Sequence, residues 1–162
     1  MATLAELLAS GAIVQIGVRL DRRQQPMRSL MGTPQFLDWL KSELPKLVTD
    51  RQLDETPSQQ MLNLAHEFIS GGPFPFDYRF KFWQPVASGV WYLKTPDLRI
   101  FGWFPFRDHF VAAFGNSKHN CMTHKLYPGY CTQVVRVRDH LPLNDPKFIA
   151  GGNPDDVLSA RN

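Results

Sequence analysis

The sequence predicts an α+β domain: an antiparallel sheet of about four to five strands with two helices on one face, followed by a C-terminal helical extension. Three observations carry this. Of the 20 aromatic residues, 14 lie between Phe74 and Phe114, and aromatic and β-branched side chains suit a pleated, half-buried surface. Two proline-led helix starts, Thr33-Pro34 and Thr56-Pro57-Ser58-Gln59, precede that block. Short turns at Thr95-Pro96-Asp97 and Pro105-Phe106-Arg107-Asp108 join consecutive apolar runs, as in an antiparallel meander.

Taken in order, Leu4, Leu7 and Leu8 make a short amphipathic helix that Gly11 can end. Residues 12 to 20 alternate, with Ala12, Val14, Ile16, Val18 and Leu20 on one face, which predicts a strand buried on one side. Asp21 to Pro26 reads as a loop. Phe36, Leu37, Leu40 and Leu44 recur at helical spacing until Pro45. The Thr56–Gln59 pair forms a capping box ahead of Met61, Leu62, Ala65, Phe68 and Ile69, and Gly71-Gly72 closes that helix. Strands are expected at Arg79 to Trp83, Val90 to Lys94, Leu98 to Phe104 and His109 to Phe114. Asn116 to Lys125 is polar and loop-like, Tyr127-Pro128 opens a helix that Pro142 closes, and the last 20 residues read as a tail with little periodicity.

Composition bounds the function classes. The 162 residues predict a single domain, 43% hydrophobic and 20% charged, which excludes global disorder and collagen-like repetition. No apolar run reaches the length of a membrane span, so no membrane partner is expected. The N-terminus lacks the basic start and apolar core of a signal peptide, and two cysteines fit a reducing compartment. A cytoplasmic location is therefore expected. The 18 Lys and Arg against 15 Asp and Glu leave a modest positive charge. It gathers at Arg19, Arg22, Arg23 and Arg28, and again at Arg136 and Arg138. These clusters are either solvated surface or, at Arg19, Arg22, Arg23, Arg136 and Arg138, contacts to an RNA backbone.

No phosphate-cradling glycine loop, G-x-S-x-G elbow or H-E-x-x-H is present. His119, Cys121, His124 and Cys131 offer four N/S ligands, but their spacing matches no common zinc module and Cys131 fits an apolar helix face, so no metal or other cofactor is assigned. The sheet block is more informative. Arg99 shares a strand face with Phe101 and Trp103, Lys94 stands across the turn, and Lys118 and His119 follow the next strand. A guanidinium that grips phosphate beside amines and an imidazole that move protons is what phosphodiester chemistry needs. From spacing alone, Arg99 and Lys94 read first as exposed cross-strand neighbours.

The block Gly89-Val-Trp-Tyr-Leu-Lys-Thr-Pro-Asp-Leu-Arg-Ile-Phe-Gly-Trp-Phe104, with His109-Phe-Val-Ala-Ala-Phe-Gly-Asn-Ser-Lys118, resembles the central hairpin of RelE/ParE-superfamily toxins, particularly the HigB and phage-derived branch. The resemblance spans residues 12–118, as a toxin-like core, and leaves 119–162 as an extension. It implies a β-α-α-β-β-β fold, a ribosome-dependent mRNA endonuclease, and an antitoxin partner. By position it makes Arg99 the contact to the scissile phosphate, Lys118 the basic residue after the third strand, His119 a proton donor and Lys94 a supporting cation. The chain departs from the family in its added N-terminal helix and long extension. Tyr127 and Tyr130 fall inside that extension, so no residue is assigned as the family's terminal acid. Two alternatives stay open: a non-catalytic binder on the same scaffold, directed at gyrase or nucleic acid, and a small zinc-stabilised interaction domain.

Overall fold

The computed structural model describes residues 1–50 and 53–159. The chain opens with α1 (Leu4–Ser10) and β1 (Val14–Ile16), then β2 (Ser29–Gly32), α2 (Pro34–Ser42) and α3 (Pro57–Ser70). The strands β3 (Phe80–Phe82), β4 (Trp91–Lys94), β5 (Leu98–Phe106) and β6 (His109–Ser117) follow, then α4 (Lys118–Thr123), α5 (Tyr127–His140) and α6 (Pro154–Val157). The helix starts are capped as their sequences require. Thr56 Oγ1 accepts from the Gln59 amide at 3.2 Å and Gln59 Oε1 accepts from the Thr56 amide at 2.9 Å. Such a box satisfies two donors that the helix cannot, worth about 1 kcal/mol. Gly71 ends α3 at φ +80°, a conformation that costs a glycine nothing.

The sheet has six strands in the order β1-β2-β6-β5-β4-β3. It is mixed rather than purely antiparallel, because β2 runs parallel to β6, with α2, α3 and the β3–β5 meander in the crossover between them. The extra strand is β2. Ser29-Leu30-Met31-Gly32 is too short and too uniformly buried to show alternation. The expected strand over residues 12 to 20 pairs only at Val14–Ile16, because β2 supplies four residues of edge. Beyond it Val18 and Leu20 still pack against the core, so the alternation reports one-sided burial without a hydrogen-bonding partner.

The two expected helices, α2 and α3, share one face of the sheet, and the opposite face is covered as well. Leu30, Leu93, Ile100, Phe104 and Phe110 face α2 and α3, where they meet Phe36, Leu64 and Phe68. Met31, Tyr92, Phe101, Trp103 and Val111 face the other way and meet Leu7 of α1, Cys121 of α4 and Cys131 and Val134 of α5. The physical reason is the apolar content of β5 and β6 on both faces. Each large side chain left in water would forfeit about 1.5–3 kcal/mol. The extension supplies the missing layer. Its tail is also docked: Val157 and Leu158 are buried, and Asp108 accepts from the backbone amide of Ser159 at 2.8 Å. At the centre, Gly102 lets β5 approach β6 closely, since a Cβ there would lie 2.0 Å from the Val111 carbonyl oxygen.

Candidate functional site: a cationic pocket at the β4–β5 turn

The turn Thr95-Pro96-Asp97 is held from below by one side chain of α3. Gln60 Oε1 accepts from the Thr95 hydroxyl at 2.7 Å and from the Asp97 amide at 2.9 Å, while Gln60 Nε2 donates to Asp97 Oδ2 at 2.6 Å. Asp97 in turn joins two flanking segments. Its Oδ1 accepts from the Asp50 amide at 3.1 Å, and its carbonyl accepts from the Lys118 amide at 2.7 Å. A buried polar cluster satisfied to this degree fixes geometry, since any partner lost would leave a desolvated group unpaired.

Arg99 lies one cross-strand pair from the turn, opposite Lys94. It is only 6% exposed. Its Nη1 donates to the carbonyls of Thr95 and Leu98, both at 2.7 Å, and its Nε donates to the Tyr127 hydroxyl at 3.1 Å. Nη2 makes no hydrogen bond among the described residues. Lys94 Nζ donates to the Asp77 carbonyl at 2.7 Å. Burial, followed by the Arg99 charge, lowers the Lys94 pKa.

These groups line a depression of about 280 Å³ together with Lys118, Arg79, Tyr78 and Asp77. Arg79 is held by Glu67 through contacts of 2.9 and 3.0 Å, and its guanidinium lies 4.9 Å from the ring centroid of Tyr78. Tyr78 itself is 66% exposed. Four cations thus surround one small pocket, against the carboxylates of Glu67, paired with Arg79, and of Asp77, paired with Lys81. Such an arrangement suits a dianionic or bridging phosphate, with an exposed aromatic face beside it.

His119 does not enter this pocket. It lines a neighbouring cleft of about 520 Å³, between residues 46–50 and α4, that shares Lys118 and Pro96 with the first. There His119 Nδ1 lies 3.7 Å from Asp50 Oδ1, both side chains being well exposed. The structure therefore brings Arg99, Lys94 and Lys118 together and sets His119 beside them. Sequence reasoning missed Arg79 and Tyr78. Only the β3–β4 pairing places Arg79 against Lys94, through the Lys94 amide donating to its carbonyl at 2.7 Å.

The other basic residues lie elsewhere. Arg19, Arg22 and Arg23 are exposed on the loop that runs on from β1, beyond the His109 end of β6. Lys118 follows the opposite end of that strand, about 26 Å away for nine residues of extended chain. Arg136 is exposed on α5 and borders a separate cleft with Thr33 and His140. Arg138 is buried, donates to the Ser88 carbonyl at 2.7 Å and stacks 3.6 Å from the Phe148 centroid. Its charge is committed inside the fold.

The His119, Cys121, His124 and Cys131 run is not gathered around a metal-sized space. Both cysteines sit in the apolar layer under α4 and α5, and no group of three or more ligand side chains forms among the described residues. Burial pushes the Cys121 thiol up to about 11 and the Cys131 thiol to about 12, from an ordinary 9.0. Both should therefore react with a disulfide reagent at pH 8 about 100-fold or more slowly in the folded chain than in guanidinium. Equal rates would show that the layer is open. The same shifts set a pH dependence. Above pH 9 the unfolded chain releases thiol protons that the folded chain keeps, so stability falls as pH rises from 9 towards 11.

Comparison with family models, with curated proteins and with solved structures gives no match to this chain.

Proposed function

We propose that this chain is a toxin-like RNA endonuclease of the RelE/ParE kind, acting on mRNA at the ribosome and held in check by a small antitoxin protein. The observation that carries the reading is the convergence of Lys94, Arg99, Lys118 and Arg79 on one pocket at the β4–β5 turn. The topology supports it: from β2 onward the order is strand, two helices, then strands, with the first parallel to the last.

On this reading the ribose 2′-oxygen attacks its adjacent phosphorus, the P–O5′ bond breaks, and a 2′,3′-cyclic phosphate and a free 5′-hydroxyl result. Arg99 and Lys118 hold the charge that builds on the non-bridging oxygens. His119, beside Asp50, takes the proton from the 2′-hydroxyl, so it serves as the base rather than as the proton donor that the resemblance implies. Lys94, whose lowered pKa makes its ammonium a better acid, protonates the departing 5′-oxygen.

A second reading, binding without cleavage at the same surface, is favoured by one observation. Three of the five N–H donors of Arg99 are already spent on Thr95, Leu98 and Tyr127. Induction of the wild-type and Arg99→Ala chains in a bacterial host, with growth followed and RNA 5′ ends mapped, separates the two. Growth arrest with new 5′-hydroxyl ends that the substitution removes is the endonuclease result. Arrest without new ends is the binding result. A chain that neither arrests growth nor cuts RNA overturns both.

A further inference from the structure

Resting on the pocket's reading as a phosphate site, we infer that the adjoining 520 Å³ cleft takes an unstacked nucleobase of single-stranded nucleic acid, from the nucleotide next to the bound phosphate. Charge sorts the two cavities. The pocket at the turn sets Arg79, Lys94, Arg99 and Lys118 against Asp77, whereas the cleft balances Lys46 and Lys118 against Asp50 and Asp97, with His119 beside them. An anion is drawn to the first and a neutral, polar-edged ring fits the second.

The cleft's walls agree. Val48, from the loop after α2, is 83% exposed, and Met122, from α4, is 60% exposed. Both are large apolar side chains left in water, and both line the cleft with Pro96. A flat ring between them would cover that surface. Thr49 and Asn120 add hydrogen-bonding groups at the same site. The volume lies within the range of about 300–1,000 Å³ usual for sites that enclose a small organic group. The shared residues Lys118 and Pro96 make the two cavities continuous, as a nucleotide with its phosphate requires.

The walls are also held at a fixed spacing. Asp97 accepts from the Asp50 amide at one wall and from the Lys118 amide at the other, at 3.1 and 2.7 Å. The same clamp that positions the phosphate pocket therefore sets the width of the cleft. His119 stands within it, where the ribose of an inserted nucleotide would pass between base and phosphate.

The test is fluorescence anisotropy of the full chain with two labelled probes. One is a hexamer of deoxyadenosine, which lacks the attacking 2′-hydroxyl. The other is a hexamer of abasic deoxyribose phosphates. The wild-type chain should bind the base-bearing probe about tenfold or more tightly than the abasic one. Val48→Ser/Met122→Ser should erase that difference and leave the abasic affinity unchanged, while Lys94→Ala/Lys118→Ala should weaken both probes. Equal affinity of the wild-type chain for the two probes overturns the inference, and this comparison needs no variant to fold. A preference that survives the serine pair also overturns it. In either case, a lysine pair that still weakens both probes leaves the phosphate reading standing. No binding of either probe by the wild-type chain, or none lost in the lysine pair, removes the phosphate reading and this inference with it.

Discussion

On the endonuclease reading, an Arg99→Ala chain should cleave RNA about 100- to 1,000-fold more slowly than wild type, the loss expected when a preorganised donor to a developing oxyanion is removed. The geometry makes the substitution costly in a second way. Arg99 Nη1 ties the carbonyls of Thr95 and Leu98, and Nε reaches the Tyr127 hydroxyl. Without them the turn loosens and α5 loses a polar anchor on the sheet, at about 1–2 kcal/mol. Single-turnover cleavage should therefore be measured well below both melting transitions. Arg99→Lys separates the two effects. It restores a charge but not the planar fork, so it should recover part of the rate and little of the stability. A wild-type cleavage rate in folded Arg99→Ala would show that Arg99 is a turn staple and nothing more.

Gln60→Leu should give the largest stability loss among substitutions near the site. Leucine keeps most of the volume but removes the acceptor for Thr95 and for the Asp97 amide, and the donor to the Asp97 carboxylate. Asp97 is buried, so its carboxylate would lose a short charge-assisted bond away from bulk solvent. The expected cost is about 3 kcal/mol, or roughly 8 °C of melting temperature for a domain of this size. Because Asp97 also holds Asp50 and Lys118, the proposed cleavage should fall with it even at temperatures where the chain is folded. Thermal melting followed by circular dichroism checks the first claim. An unchanged transition would mean that the turn does not depend on α3.

Much of the scaffold was legible because its signals are local. Thr33-Pro34 and Thr56-Pro57-Ser58-Gln59 name helix starts through their own backbone partners, and both helices begin there. The β4–β5 hairpin follows from Thr95-Pro96-Asp97, and its register sets Lys94 opposite Arg99. The hidden parts depend on distant chain. β2 is recognised only through its pairings with β1 and β6, and Ser29-Leu30-Met31-Gly32 has no periodicity of its own. The helix Lys118–Thr123 looks polar because it is a single short element whose buried residue is Cys121, yet Ser117 caps it through the Asn120 amide.

The site divides in the same way. Lys94, Arg99 and Lys118 could be grouped from the hairpin, since two short turns bring them to one end of the sheet. Arg79 and Tyr78 could not, because β3 is three residues long and its register is set by β4. Gln60 was hidden by its helix, where one polar residue on a buried face reads as a break in amphipathicity. Arg138 shows the converse. Beside Arg136 in sequence it looks like part of a basic cluster, but at helical spacing it turns inward onto Phe148.

The most direct measurement is a titration of isotope-labelled protein with a single-stranded RNA hexamer blocked at its 2′-oxygens, read by backbone amide chemical shifts. The account predicts perturbations at Tyr78–Arg79, Lys94–Arg99 and Ser117–Asn120, weakening steeply with salt. Shifts confined to Arg19–Arg23 or to the exposed face around Arg136, or no shifts at all, would contradict it.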